Sequence, residues 1–153
     1  NINISARRKF IRAGCLINDG WESSNAEHHI RSLNIKTPGA ARLIMNLSGG
    51  NQQKVVIAKW LATKPSLLIL NDPTRGVDVG AKAEIYALIS ELACAGMAII
   101  ITSSEISEIL GMSDRILVLN EGVVTREFLR GQADQKALLS AALVRADEPQ
   151  RGM

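Results

Sequence analysis

Hydrophobic residues follow two different rhythms along this chain from Ser48 onward. Apolar runs at 67–70, 98–101 and 116–119 are typical of strands buried on both faces of a sheet. Between and after these runs apolar residues recur at helical spacing, which predicts helices over about 50–63, 80–95 and 132–145 and a shorter one near 106–110. Strands that alternate with helices indicate an α/β fold with right-handed crossovers.

The same pattern predicts which side chains these elements bury and where they end. The helix over 50–63 should bury Val56, Ile57, Trp60 and Leu61, and the helix over 80–95 should bury Ile85, Leu88, Ile89 and Leu92. Gly96 is a stop signal, and Ser103 or Ser104 can cap the short helix that follows. The sequence Asn120-Glu121-Gly122 predicts a turn that brings 123–125 back as a hairpin.

Residues 1–46 are polar and mixed, and they define the first of three predicted regions, followed by 47–128 and 129–153. A helix is predicted over about 22–34, with Ile30 and Leu33 on one face. His28 and His29 are adjacent and would point in different directions on that helix, so we predict two surface imidazoles rather than a shared metal.

Composition narrows the class of protein. A chain of 153 residues with 46% hydrophobic and 22% charged residues fits one soluble domain or part of one. The chain opens with Asn and has no signal peptide, which we interpret as a sign of a fragment or a processed product. The net charge of +3 is mild, and the cluster of Arg7, Arg8, Lys9 and Arg12 is interpreted as a solvated helix face rather than a nucleic-acid patch. Cys15 and Cys94 are predicted to be unpaired core thiols.

Two segments carry candidate chemistry. The sequence Ser48-Gly49-Gly50 opens a predicted helix, where backbone N–H groups and the positive end of the helix dipole favour an anion. A predicted strand then ends in Asn71 and Asp72, whose oxygens could ligate a metal or orient a water. Each segment alone is also compatible with an ordinary helix cap or an ordinary turn, but the pair in this order points to nucleotide phosphate chemistry.

The longer run Leu47-Ser48-Gly49-Gly50-Asn51-Gln52-Gln53-Lys54 resembles the signature loop of ABC-type ATPases, in the form seen in bacterial carbohydrate importers. Residues 67–72 resemble the Walker B strand of that family, 75–82 its D-loop and 103–116 its switch segment. This resemblance implies a partial P-loop NTPase domain, with a mostly parallel sheet flanked by helices and part of the helical signature subdomain. The chain is similar to the end of the second nucleotide-binding half in ATPases of the ribose, xylose and galactose type.

The resemblance also implies roles for individual residues. In this family the signature loop of one half contacts ATP held by the other half, which assigns that contact to Ser48, Gly49, Gly50 and Asn51. Asp78 would lie at the interface between the halves. Asn71 matches a magnesium-supporting Asp, while Asp72 and Ser104 match a catalytic Glu and a switch His. The implied cofactors of the complete protein are ATP and Mg²⁺.

The sequence departs from the family pattern in ways that weaken its own site. A phosphate-binding loop of the form Gly-x-x-x-x-Gly-Lys-Ser/Thr does not occur, and the resemblance places it before Asn1. Asn71 lacks the negative charge of Asp, and the shorter Asp72 withdraws its carboxylate by about 1.5 Å. We therefore predict that the chain alone binds ATP poorly and that the end of its own Walker B strand supports little or no ATP hydrolysis.

The implied partners are the other nucleotide-binding half, membrane permease subunits and, indirectly, a periplasmic sugar-binding protein, with no nucleic acid. The implied location is the cytoplasmic face of the inner membrane, as a peripheral subunit. Two alternatives stay open: an inactive remnant or dimerisation segment, and an ABC ATPase that acts on DNA. The second is disfavoured because residues 1–46 contain no sustained heptads.

Overall fold

The computed structural model describes residues 1–6 and 18–143, and these divide into two compact units, 1–100 and 101 onward. The first unit contains α1 (Asp19–Ser32), a 3₁₀ turn (Ile44–Asn46), α2 (Gly49–Leu61), β1 (Leu67–Asn71), α3 (Val79–Cys94) and the start of β2 (Ala98–Thr102). The second contains α4 (Ile106–Met112), β3 (Arg115–Asn120), β4 (Val123–Leu129) and α5 (Gln135–Leu143). The basic cluster at 7–12 and Cys15 lie outside the described residues.

The centre of the first unit is a strand–helix–strand arrangement. Strands β1 and β2 form a two-stranded sheet, and α3 supplies the crossover that a parallel pair requires. The predicted stripe of α3 is confirmed, because Ile85, Leu88 and Ile89 are buried. Gly96 has φ = +91°, the left-handed conformation that ends a helix, so the predicted stop is confirmed as well. The α/β fold class predicted from the sequence is therefore present.

The prediction that the apolar strands are buried on both faces is wrong. In β1, Leu68 and Leu70 are buried, whereas Leu67 and Ile69 are exposed, Ile69 by 65%. Ile100 in β2 is 49% exposed. This alternation has the period of two that a strand shows when only one of its faces is covered. A continuous apolar run indicates that both faces of a strand are apolar enough to be buried. Whether the second face is covered depends on other parts of the structure.

The predicted buried stripe of α2 is also wrong in part. Ile57 is buried, but Val56 and Trp60 are about half exposed. The buried side consists instead of Gly50, Lys54, Val55, Ile57 and Ala58. Lys54 occupies a position that a hydrophobic pattern assigns to an apolar residue, because its ammonium group pairs with a carboxylate on α3.

Helix α1 begins at Asp19, where the side chain of Asn18 accepts the Trp21 N–H at 3.1 Å. The prediction of two surface imidazoles on this helix is wrong for His29, which is buried, and fits His28, which is exposed. Burial, with a smaller contribution from the charge of His28, lowers the pKa of His29 below its ordinary value. The described residues contain no group of three metal-ligating side chains, so these imidazoles belong to no metal cluster there.

The second unit is built on the hairpin of β3 and β4. The strands pair antiparallel from Arg115 opposite Leu129 to Asn120 opposite Val123, with an irregularity between Val118 and Leu119. Glu121 and Gly122 have φ values of +51° and +82°, as a two-residue type I′ turn requires. The predicted hairpin is confirmed, and its second strand extends four residues beyond the predicted 123–125, to Leu129.

Helices α4 and α5 pack with this hairpin. The core of the unit comprises Ile116, Val118, Phe128, Leu138 and Ala141. Glu105 occupies the N-cap position of α4, and the nearby Ser103 Oγ accepts the Glu105 N–H at 3.0 Å, so neither predicted serine is the N-cap residue itself.

Cys94, at the end of α3 in the first unit, is exposed, and the prediction of a core thiol is wrong there. No helix in the described ranges is long and apolar enough to cross a membrane.

Candidate functional site

The predicted signature loop forms the N-terminus of α2. Ser48 occupies the N-cap position with extended backbone, and within the described part of the chain its side chain makes no capping hydrogen bond to the helix. Ser48 and Gly49 are exposed, and Gly50 is buried. The backbone N–H groups of a first helical turn have no intrahelical acceptor, so this end of α2 presents donors and a positive dipole to an anion.

The hydroxyl of Ser48 is held from inside the loop. Asn51 Nδ2 donates to Ser48 Oγ at 2.8 Å, and Asn51 Oδ1 accepts the backbone N–H of Lys36 at 2.7 Å. Because a backbone N–H can only donate, the Lys36 contact fixes which end of the Asn51 amide faces Ser48. The Ser48 oxygen therefore serves as an acceptor in this contact.

The two glycines of this loop have different structural roles. A Cβ added at Gly50 would lie 2.5 Å from the Cβ of Ala81 in the first turn of α3. A Cβ added at Gly49 would lie 3.6 Å from the carbonyl oxygen of Gly76, an ordinary contact. Gly50 is thus required for the close approach of the first turns of α2 and α3, whereas Gly49 keeps the exposed backbone uncovered.

The predicted D-loop leads into α3 and ends in a helix cap. Gly76 adopts φ = +72°, and the Val77 N–H donates to the Thr74 carbonyl at 3.1 Å. Thr74 is almost fully buried, which anchors the loop to the first unit. Asp78 is the N-cap of α3, and its Oδ1 accepts the Ala81 N–H at 3.0 Å. The exposed carboxylate predicted to lie at an interface is therefore also bonded within its own helix.

The predicted Walker B strand ends at Asn71, which is exposed, and Asp72 follows with φ = +45°. The chain leaves the strand at this point, so a left-handed backbone, rather than strand alternation, sets the direction of the half-buried Asp72 side chain. One amide and one carboxylate are few ligands for a cation that demands octahedral geometry. By themselves these two residues do not fit a magnesium site.

The predicted switch residue Ser104 lies in the second unit, exposed, just before α4. Its neighbour Ser103 donates a short hydrogen bond to the carboxylate of Glu108, which is buried. The structure thus brings the signature loop and Asp78 together in the first unit. Ser104 belongs to the second unit, where its neighbours include the segment that starts α4.

A cavity of about 330 Å³ also lies in the first unit, among the N-terminal residues, α1 and the segment 35–47. Its polar lining includes Asn3, Glu22 and Arg42. None of the predicted site residues lines it. The cavity touches the start of the signature loop only through Leu47, and the exposed end of α2 at Ser48 and Gly49 lies outside its lining.

A charged cluster behind the signature loop was missed by the sequence reasoning. Lys54 is only 4% exposed, and its Nζ donates to Glu84 Oε2 at 2.8 Å and to the Asn34 carbonyl at 3.2 Å. Lys36 Nζ donates to the other oxygen, Oε1, of Glu84 at 3.2 Å. These bonds, that of Lys54 first, lower the pKa of the Glu84 carboxyl. The spacing of Gly50, Lys54 and Ala58, each four residues apart on one helix face, was the available signal.

Comparison with known proteins identifies a family and relatives of this chain. The sequence profile of the ABC transporter family matches residues 3–75. The chain is 55% identical to the arabinose import ATP-binding protein AraG of Escherichia coli O6:H1 over 97% of its own length, and 54% identical to AraG of Shigella flexneri. The chain spans 29% of the length of these curated relatives.

Solved structures show the same fold. An ABC transporter described as metal-chelate type, in an inward-facing conformation, superposes with a TM-score of 0.75 at 21% identity, covering 92% of this chain and 55% of that one. The dimeric ATP-binding cassette MJ0796, bound to ADP and Pi, gives a TM-score of 0.65 at 25% identity, covering 83% of this chain and 54% of that one. The family profile, the curated relatives and the shared fold show that the chain belongs to the ABC-type ATPases.

Proposed function

We propose that this chain is the later part of a nucleotide-binding half in a sugar-importer ATPase and that it contributes the signature loop to a composite ATP site. The observation that carries the proposal is the N-terminus of α2. Its serine is spared from capping the helix and is instead oriented by Asn51. The relatives described above are arabinose import ATP-binding proteins, which supports sugar import as the process.

In this proposal Ser48 and Gly49 face the phosphates of an ATP held by another nucleotide-binding half. Asn51 orients the serine hydroxyl, and Gly50 lets the first turn of α2 reach its position against α3. Asp78 lies at the interface between the halves, next to this loop. The dimeric form of the related cassette MJ0796 supports an arrangement in which two such domains face each other.

The strand end of this chain takes a lesser role. Asn71 is neutral, and Asp72 has left the extended conformation, so neither is placed as a strong cation ligand or general base. Ser104 has no titratable imidazole to offer at the switch position. In this proposal ATP hydrolysis at the chain's own Walker B position is weak or absent. Turnover takes place at the ATP site held by the other half, which the signature loop of this chain completes.

The proposed setting follows from the family. The cofactors are ATP and Mg²⁺, and the partners are the other half and permease subunits, with a periplasmic sugar-binding protein upstream of transport. The proposed location is the cytoplasmic face of the membrane. The regions 1–46, 47–128 and 129–153 remain the proposed division into helical lead-in, ATPase core and C-terminal helix.

The test uses the complete importer polypeptide that carries this sequence, assembled with its permease in proteoliposomes. Replacing Ser48 with Arg places a bulky cation at the exposed helix end and should abolish ATP-driven sugar uptake. A matched control, Ser140→Arg, changes an exposed serine in α5 of the second unit and should leave uptake near its original level. Unchanged uptake in Ser48→Arg would refute the composite-site role.

A second measurement separates the two ATP sites. When the site completed by this signature loop is disabled through the phosphate-binding lysine of the other half, almost no ATP hydrolysis should remain. Robust turnover in that background would show that Asn71 and Asp72 support catalysis. Full uptake both in Ser48→Arg and in the variant that lacks the phosphate-binding lysine of the other half would favour the alternative in which this segment is an inactive remnant.

A further inference from the structure

The charged cluster behind the signature loop connects α2 and α3, whose first turns lie against each other. Glu84 lies on α3, one turn beyond Ala81, and its carboxylate receives Lys54 from α2 and Lys36 from the preceding segment. Lys54 also donates to the carbonyl of Asn34. One carboxylate therefore fixes both α2 and the segment 34–36 in relation to α3.

The segment 34–36 is linked to the signature serine by two hydrogen bonds. The Lys36 N–H donates to Asn51 Oδ1, and Asn51 Nδ2 donates to Ser48 Oγ. Hydrogen bonds thus connect Glu84 to the Lys36 side chain, and the Lys36 backbone through Asn51 to Ser48. Lys54, the buried partner of Glu84 beside this path, is a cation that loses its anionic partner if Glu84 is neutralised, which is the costly way to break such a pair.

From this path we infer that Glu84 is a positioning residue of the composite ATP site, which holds the Ser48 hydroxyl in place through Lys36 and Asn51. The inference rests on the proposed function, because it needs Ser48 to contact ATP. It assigns a role to Glu84, which lies outside the signature loop and 36 positions after Ser48 in the chain. It also explains why the lysine that follows the signature glycines is buried instead of being solvated.

The first test needs no nucleotide. Amide hydrogen exchange of the complete importer polypeptide should show faster exchange at the Lys36 N–H in Glu84→Gln, because that N–H loses its fixed position against Asn51. The Ala81 N–H, which Asp78 caps on the same helix, should be unchanged. Glu91→Gln, an exposed glutamate two turns further along α3, is the matched control and should change neither amide. Equal protection of Lys36 in Glu84→Gln and in the parent protein would overturn the inference.

The second test measures ATP turnover of the assembled importer in two backgrounds. With Ser48 present, Glu84→Gln should lower kcat/KM by about tenfold, less than the roughly hundredfold that a 1 Å misplacement can cost. In the Ser48→Ala background the same change should cause no further loss, because the group it positions is gone. Equal losses in both backgrounds would show that Glu84 supports only the fold and would overturn the inference.

Lys36→Met keeps the test valid if Glu84→Gln fails to fold. The Lys36 side chain is mostly exposed, and removing it breaks one ion pair while Lys54 stays paired. Its expected loss in kcat/KM is about threefold, the size of an exposed ion pair, and again only with Ser48 present. If Ser48→Ala itself leaves turnover unchanged, the proposed function fails together with this inference. A large loss in Ser48→Ala with no effect of Lys36→Met removes the inference alone.

Discussion

The first turns of α2 and α3 lie against each other, yet their N-termini differ in whether the N-cap side chain bonds to its own helix. At α3 the Asp78 carboxylate accepts the Ala81 N–H and satisfies its own helix. At α2 the equivalent residue, Ser48, makes no such bond within the described chain, and its hydroxyl is bonded by Asn51 instead. The comparison teaches that one helix end is capped by its own side chain, while its neighbour presents its first-turn N–H groups without such a cap in the described residues, as the proposed contact with ATP requires.

The largest effect is expected where the two helix ends touch. Gly50→Ala should lower the free energy of unfolding by about 1–2 kcal/mol, because overpacking costs about 1–3 kcal/mol and better helix propensity offsets part of it. The clash is with the Cβ of Ala81, so Ala81→Gly in the same protein should restore most of the loss. Denaturant unfolding measures both changes.

Gly49→Ala is the control for that experiment. Among the residues that the structure describes, its new Cβ meets only the Gly76 carbonyl, at 3.6 Å, so stability should change by less than about 0.5 kcal/mol. An equal loss from both substitutions would mean that the close approach of the two helices is not specific to Gly50.

A smaller effect is expected at the self-capped end. Asp78→Ala should lower the free energy of unfolding by about 1 kcal/mol, since it removes the side chain that accepts the Ala81 N–H. Asp78→Asn keeps an acceptor oxygen and should retain most of the stability. Thermal unfolding of the two variants side by side distinguishes the cap from a general effect of charge.

The open end should respond in the opposite sense. Ser48→Ala removes no cap, so the free energy of unfolding should change by less than about 0.5 kcal/mol, while ATP turnover of the assembled importer falls. A stability loss as large as that of Asp78→Ala would show that Ser48 caps its helix after all and would end the contrast between the two helices.

Acid should weaken the link between the helices, because it protonates Glu84. The pKa of Glu84 is lowered in the folded protein, so its stabilising contribution is present above its ordinary pKa of about 4.5 and is lost as pH falls through the folded value. The difference in Tm between the parent protein and Glu84→Gln should therefore be largest near neutral pH and shrink below pH 4.5. A difference that does not change with pH would argue against the ion pairs as its source.

The sequence predicted features that depend on local chemistry. The apolar stripe of α3, its glycine stop at Gly96 and the turn at Glu121-Gly122 follow from side-chain periodicity and backbone preference, and the structure has all of them. The resemblance to ABC-type ATPases rested on short motifs and was equally direct, because those motifs are continuous in sequence.

Features that depend on distant residues were not predictable in the same way. Ile69 is as apolar as its neighbours, but its exposure depends on what covers the second face of β1. Lys54 is buried because of Glu84, 30 residues away, so the helical pattern around it placed Val56 and Trp60 on the wrong side. His29 was misassigned for the same reason, since its burial comes from packing and not from its position beside His28.

The left-handed backbone at Asp72 has a consequence for substitutions at this position. Short polar residues such as Asp and Asn tolerate positive φ better than a longer glutamate does. Replacing Asp72 with the glutamate that the resemblance to ABC-type ATPases implies here should therefore carry a conformational cost. An engineer who wants a longer side chain at this point should change the residues that set the turn, 71–73, as a unit, and not the carboxylate alone.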